Sequence, residues 1–509
     1  MSSEKVYLLV LLILSAFGCV QDADIGELDE AQTIRFATYA PVHKFDPHLT
    51  DGGVSFSSYN ILVYDGLLIG NPESLWHPLP NLAIEWDWIT DTTIEFKLRE
   101  NVTFSDGASF DAYVAKANLD RMLALRGPRF RTVSSIKNVE VIDDFTLRIH
   151  LHQYDPAMLR ALTGPPGSMV SPAAFDNEDL DLNPVGSGPW LYDKDNSTIG
   201  EVHRFVPRPG YHMFANPSLA NIEVYLLKDS RARLNALISG EIDVTILRPV
   251  EAKAAEDLGF AISTRNNRWF GLTILDRNGE LVPQLADVRV RQAIGFAVDR
   301  QAIANSIYFG YARPASQPMV EEYGYVPELA DFYRYDPEYA RQLLDEAGVD
   351  RFTFVAPVLP DAQPQYEAVQ HYLRKVGINM EIEIIESTQH GALSRTTLYP
   401  VNTHTSPSFD PDNRHRSIWG SDAVFNPFRV ITEHTDRLAD EAIASSDEQL
   451  RYRNYAEYFD FVVKEGRTVI YLQVDDIVAY DPNKLSDVQV SGFIDPILRY
   501  IRLASDSDD

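Results

Sequence analysis

Between Thr403 and Trp419 the chain reads THTSPSFDPDNRHRSIW, a stretch dense in side chains that ligate metals or move protons. His404, Asp410, Asp412 and His415 are all ligand types, yet their spacing matches no compact metal motif, and Arg414 and Arg416 would repel a nearby cation. No metal is expected there. Asp410 is suited to accept hydrogen bonds from amides of its own turn, and the two arginines are suited to meet a carboxylate. Elsewhere the chain holds no HExxH, no GxSxG, no GxxxxGK[ST] and no CxxC pair. The 74 Asp and Glu residues could supply an acid pair, but spacing singles out none. The expectation is a protein with no catalytic residues and no cofactor.

The elements around this stretch read as alternating strands and helices. Ile94, Phe96 and Leu98 alternate with Glu95, Lys97 and Arg99, the period of a strand with one buried face. Asp106-Gly107 supplies a turn, since glycine accepts positive φ. Phe110, Val114, Ala117 and Met122 follow at roughly helical spacing, with Asp111 placed to favour the helix N-terminus. Further strands are expected at Thr33–Thr38, Ile222–Leu227 and Trp269–Leu275, and amphipathic helices at Arg231–Ile238, Val288–Ile307 and Pro337–Glu346. Phe352–Val358, Gln365–Lys375 and Met380–Ile385 form a strand–helix–strand unit of the kind that builds a parallel sheet. No internal repeat of solenoid length is visible.

A chain of 509 residues is too long for one core and implies two or three domains. Its formal charge of −29 is spread along the whole length. That balance argues against nucleic acid, which needs clustered Lys and Arg, and against electrostatic adhesion to an anionic bilayer. Val6–Leu14 is an apolar run too short for a spanning helix, which takes roughly 20 residues, and it reads as the core of a signal peptide. The run ends in Ser15-Ala16-Phe17-Gly18-Cys19, and Cys19 is the single cysteine. An ordinary secretory signal with an incidental cysteine is the alternative to a lipid-modified Cys19, because Phe17 is bulky and Lys5 is the whole basic region. Either way the mature protein lies outside the cytoplasmic membrane.

The segments Phe45–Leu49 (FDPHL), Val63–Trp86, Glu95–Met122, Val141–Leu151, Asn183–Trp190, Arg233–Val244, Ala286–Ile303 and Tyr335–Val349, in this order, resemble the family 5 extracytoplasmic solute-binding proteins of ABC importers. The likeness runs from about residue 33 to about residue 495. It implies an α/β, two-lobe, periplasmic-binding-protein-like fold (type II, cluster C) with an extra domain inserted in the first lobe. Residues 1–19 would be the signal peptide with a lipobox-like end and 20–32 a flexible tether. Lobe I would comprise 30–60, 185–265 and 480–509, the inserted domain 61–184, and lobe II 266–479, with hinges near Asn266–Trp269 and Tyr471–Tyr480.

The resemblance also implies a function. The chain would capture a solute in its interlobe cleft, a peptide first of all, and deliver it to ABC permease and ATPase subunits as a monomer in the periplasm or on the outer face of the membrane, lipid-anchored or secreted. An oligosaccharide or other polar organic solute is the alternative ligand, nickel or haem a third, and ligand sensing or chaperoning an alternative role. In peptide-binding relatives an Asp in the segment matching Thr403–Trp419 pairs with the ligand's ammonium group; here Pro407 stands at that position and cannot receive a cation. Ligand-binding candidates by position are Val42, His43, Trp269, Phe270, Ser406, Phe409, Asp410 and Trp419. His43 reads equally as a solvated loop residue, and each aromatic reads also as core packing.

Overall fold

The computed structural model describes residues 33–41, 44–50, 56–71, 77–213, 220–319, 324–407, 411–490 and 496–504. Among these, nine strands share one mixed sheet: β1 (Thr33–Thr38), β2 (Trp190–Thr198), β3 (Val202–Pro207), β4 (Asn221–Leu226), β5 (Val244–Ile246), β6 (Ala261–Ile274), β7 (Ala312–Pro314), β8 (Val401–Pro407) and β9 (Thr468–Tyr480). Their spatial order is β8-β6-β9-β5-β1-β4-β3-β2, with β7 also paired to β9. β1 lies parallel to both β4 and β5, and such a parallel core is buried on both faces. Ile34, Phe36, Ile222, Val224 and Val244 accordingly join Phe205 and Val478 in the core of the first lobe.

β6 and β9 are the longest strands of this sheet and run antiparallel from one lobe into the other. At one end Val478–Tyr480 pair with β5; at the other, Arg268–Ile274 pair with β8 and Leu472–Val474 with β7. Gly271 permits this contact, because a Cβ there would stand 2.3 Å from the Val469 carbonyl oxygen. The second lobe packs its own core on this far end, where Phe270, Leu272 and Val469 meet Ile294, Phe354 and Tyr366. The strand–helix–strand unit forms as its periodicity predicts: Phe352–Val358 and Ile378–Ile384 pair in parallel around the helix Gln363–Arg374.

A third core belongs to a four-stranded antiparallel sheet, Ala83–Thr90, Thr93–Leu98, Thr146–Leu151 and Ile136–Asp143 in spatial order, covered by the helix Ala112–Leu125. Ile94, Phe96 and Leu98 are buried as the alternation requires. Gly107 takes φ +85° in the turn, and the Asp111 carboxylate caps the helix by accepting from Val114 N at 2.9 Å.

Three expectations about local structure are corrected. The buried face of that helix is Ala112, Ala115, Asn118, Leu119 and Met122, while Val114 and Ala117 are half-buried. Asn118 belongs there because its amide both accepts from Val170 N (2.8 Å) and donates to Val170 O (2.9 Å). The helix expected over 288–307 is two helices, Val288–Phe296 and Arg300–Ser306, since Asp299 caps a new start by accepting from Ala302 N. Finally, the strand expected from Trp269 begins at Ala261, its first half being polar and recognisable only by its pairing with β9.

Candidate functional site

The lobes join where β6 and β9 cross between them, and the pairing there is irregular. Asn266 stands opposite Asp475 while Arg268 stands opposite Val474, so Asn267 is an extra residue, a β-bulge. Residues three apart on a regular strand point to opposite faces. The bulge resets that alternation, and the guanidinium groups of both Arg265 and Arg268 act on one carboxylate, Asp476. Arg268 Nη1 lies 3.6 Å from Asp476 Oδ1, an ion pair just beyond hydrogen-bond length. Burial pushes the Asp476 carboxyl up to about 6, with Arg268 opposing the shift and Asp475 adding to it.

Several polar atoms of this crossing are buried without a hydrogen-bond partner: Asn266 Oδ1, Arg268 Nε, Gln473 Oε1 and Asp476 Oδ2. The amide nitrogens of Asn266 and Gln473, and the neighbouring Arg265, are engaged. Asn266 Nδ2 donates to Asp475 Oδ1 at 2.8 Å, Gln473 Nε2 to Gln317 O at 3.3 Å, and Arg265 Nη1 to Val490 O at 3.4 Å. An unmet buried donor or acceptor costs about 1–3 kcal/mol. Four of them lie on two short strand segments. Arg248, which follows β5, is paired within its own lobe, its Nη2 donating to Glu251 Oε1 at 2.8 Å.

By contrast, two further charged clusters are closed. Asp46 accepts from Arg121 Nη1 at 3.0 Å and Nη2 at 2.7 Å, and His48 Nε2 meets Ser168 O at 3.2 Å. FDPHL is thereby a clamp between the loop after β1 and the helix Ala112–Leu125. Asp65, fully buried, accepts from Tyr211 Oη, Ser187 Oγ and Arg499 Nη2. Gly186 and Gly188 bring Ser187 there, since a Cβ at Gly186 would stand 2.0 Å from Val63 O.

With this geometry in view the chain can be compared with known proteins. Residues 77–426 match the model of the bacterial extracellular solute-binding proteins, family 5 Middle. The chain belongs to this family. The glutathione-binding protein GsiB of Escherichia coli O157:H7 is 29% identical over 325 residues, 62% of this chain and 62% of that protein. The match thus spans less than two thirds of that relative. Among solved structures, NikA from Brucella suis in complex with Fe(III)-EDTA superposes with a TM-score of 0.80 at 22% identity, covering 92% of this chain and 99% of that one. DppA from Helicobacter pylori in complex with the peptide STSA gives 0.76 at 21% identity, covering 93% and 98%. These likenesses establish the two-lobe α/β fold. No helix among the described residues is long and apolar enough to cross a membrane.

Of the ligand-binding candidates in this family 5 chain, Val42, His43, Phe409 and Asp410 lie outside the described residues, as does Cys19. Ser406 sits in β8 directly opposite Trp269. The three described aromatics are inside the protein. Trp269 packs with Met319, Ile418 and Tyr455; Phe270 packs 4.8 Å from the Tyr366 ring; Trp419 donates its indole N–H to Thr468 Oγ1 at 2.6 Å. Core packing, the second reading of each ring, describes all three, because strand neighbours 269 and 270 point to opposite faces of a sheet covered on both sides. His415 is also buried, meeting the Tyr458 hydroxyl at 3.0 Å, and burial lowers its pKa.

Of the residues that gather at the crossing, Asn266, Arg268, Gln473, Asp475 and Asp476 lie in the two segments expected as hinges, but neither they nor Arg265 were named as ligand-binding candidates. A signal existed. Gln473, Asp475 and Asp476 interrupt an otherwise apolar run from Val469 to Tyr480, and charged residues in such runs are uncommon unless paired or functional.

Proposed function

We propose that this chain is the solute-capturing component of an ABC importer, closing two lobes on a small molecule and passing it unaltered to permease and ATPase subunits. One observation carries the reading: the lobes are joined by a bulged two-strand crossing whose buried polar atoms await partners. A crossing of this kind can flex at the bulge, and closure of the lobes would remove a solute from water and engage those atoms. Peptides are the first ligand class, in keeping with a relative named for glutathione and a structural neighbour holding the peptide STSA. The burial of Trp269, Phe270 and Trp419 leaves those rings no open face for a pyranose, which weighs against an oligosaccharide.

The chain would act outside the cytoplasmic membrane as a monomer, held by a lipid on Cys19, and would do no chemistry. In its proposed division, lobe I takes 30–60, 185–265 and 480–509, the inserted domain 61–184, and lobe II 266–479; the separate cores around Phe36, Phe96 and Phe354 support three units. Native mass spectrometry of protein taken from its host should show a co-purified solute, and X-ray scattering should show compaction when that solute is returned to the stripped protein. Scattering profiles unchanged across a broad metabolite library, or steady conversion of any compound to product, would sink the reading. Labelled palmitate should enter the wild type and fail to enter Cys19→Ala.

A further inference from the structure

We propose that Tyr154 and Arg451 form a closure latch, a contact outside the strand crossing that joins the four-stranded sheet's unit to the second lobe and biases the lobes toward the shut state before any solute arrives. The proposal rests on the reading that the lobes move about that crossing.

The two side chains belong to different bodies. Tyr154 follows the strand Thr146–Leu151, and its ring packs 5.0 Å from that of Trp88 on the strand Ala83–Thr90 of the same sheet. Arg451 stands in the first turn of the helix Glu448–Lys464, whose Tyr455, Tyr458 and Phe459 are buried with Trp269 and Ile470 in the second lobe. Its guanidinium carbon lies 5.9 Å from the centre of the Tyr154 ring, within the reach of a cation–π contact. Asp91 on the sheet side and Glu448 on the helix side both act on the Tyr154 phenol with their negative charge, and Arg451 opposes them. The two bodies thus bring like charges to the contact, and one arginine offsets both.

What makes this contact a latch is how differently the same unit is fastened on its other side. Arg208, just past β3, is buried and donates to Phe104 O at 2.7 Å and Thr103 Oγ1 at 3.0 Å, while Arg121 holds the buried Asp46 of the loop after β1 with two hydrogen bonds. Breaking buried charged contacts of that kind is costly, so the four-stranded sheet travels with the first lobe. When the second lobe swings about the crossing, Tyr154 and Arg451 must part. Their chemistry suits that. Tyr154 is half-buried, and on parting both groups regain water. A cation–π contact of partly exposed groups shifts an equilibrium about fivefold, equivalent to about 1 kcal/mol. An open–shut balance of a few kcal/mol is tipped by such a contact without being locked by it.

The test is small-angle X-ray scattering of the whole mature chain, stripped of co-purified solute, with thermal unfolding measured alongside. Tyr154→Ala should raise the radius of gyration as the ratio of shut to open molecules falls about fivefold. Tyr154→Leu should do the same, because it fills the space without offering a π face, and Tyr154→Phe should stay near the wild type, because it keeps the ring under the guanidinium. Coincident profiles for wild type and Tyr154→Ala, even with a lowered melting temperature, would reduce the contact to packing and overturn the latch. Should Tyr154→Ala fold poorly, the comparison of Tyr154→Leu with Tyr154→Phe decides, equal profiles overturning the proposal. No solute enters these measurements, so the two readings fail separately. Coincident profiles with a wild type that still compacts when its solute is returned would sink the latch alone, and a variant-dependent profile without compaction on any metabolite would sink solute capture and leave the latch.

Discussion

Asp65 and Asp476 are both aspartates withdrawn from water, and the molecule treats them oppositely. Asp65 is fully buried, and Tyr211, Ser187 and Arg499, from chain segments as far as 434 positions away, all donate to it. Asp476 sits at the crossing with one oxygen unmet and its neighbouring guanidinium at arm's length. A buried charge with every lone pair satisfied is structural, whereas one left partly unpaired costs stability. The difference separates the parts of the molecule that hold it together from the part kept ready for something else.

The strongest blow to that contrast would come from removing each aspartate in turn. Asp65→Ala strands the Arg499 guanidinium in the interior and should cost about 3–5 kcal/mol of unfolding free energy, read from urea midpoints. A loss below about 1 kcal/mol would mean that the knot around Asp65 is not structural. Acid provides the next test. Burial, with Arg121 adding to it, depresses His48 to about 4. Between pH 6.5 and 4 the unfolded chain then binds the proton more readily, so stability falls as pH falls through that window. From pH 7 to pH 5 this one histidine should remove about 2 kcal/mol.

Asp476 acts in the other direction. Its folded pKa of about 6 lies above the unfolded value near 3.8, so the folded state takes up the proton first and stability from this group rises as pH falls from about 6 toward 4. Asp476→Asn should therefore steepen the acid-induced loss by about 1 kcal/mol between pH 7 and pH 5, compared with the wild type in parallel urea titrations. At pH 8 the smallest effect is expected: Asp476→Asn should unfold no earlier than the wild type, because a poorly compensated buried charge has been removed. A destabilisation above about 2 kcal/mol at pH 8 would show that Asp476 is held as firmly as Asp65 and would erase the distinction between the two regions.

Much of the architecture was legible in residue order. The alternation of Ile94, Phe96 and Leu98, the Asp106-Gly107 turn with its Asp111 cap, and the parallel unit at 352–384 all follow from local periodicity and turn chemistry. The site was less so. Trp269, Phe270 and Trp419 have the composition of a ligand-stacking wall, but aromatic rings serve a core equally well, and only the helices packed on both faces of the sheet show that they serve the core. Arg265 and Arg268, three positions apart, read as residues on opposite faces of a strand.

From the sequence alone came the family, the alternation of strands and helices, and the want of any catalytic motif, because each is written in the spacing of neighbours along the chain. Tertiary structure alone decided which buried polar groups found partners. Asp65 meets Arg499 across most of the molecule, while the bulge that gathers Arg265 and Arg268 on Asp476 exists only in the pairing of two strands about 200 residues apart. Hydrogen-bond satisfaction is a property of three-dimensional neighbours, and no one-dimensional period encodes it.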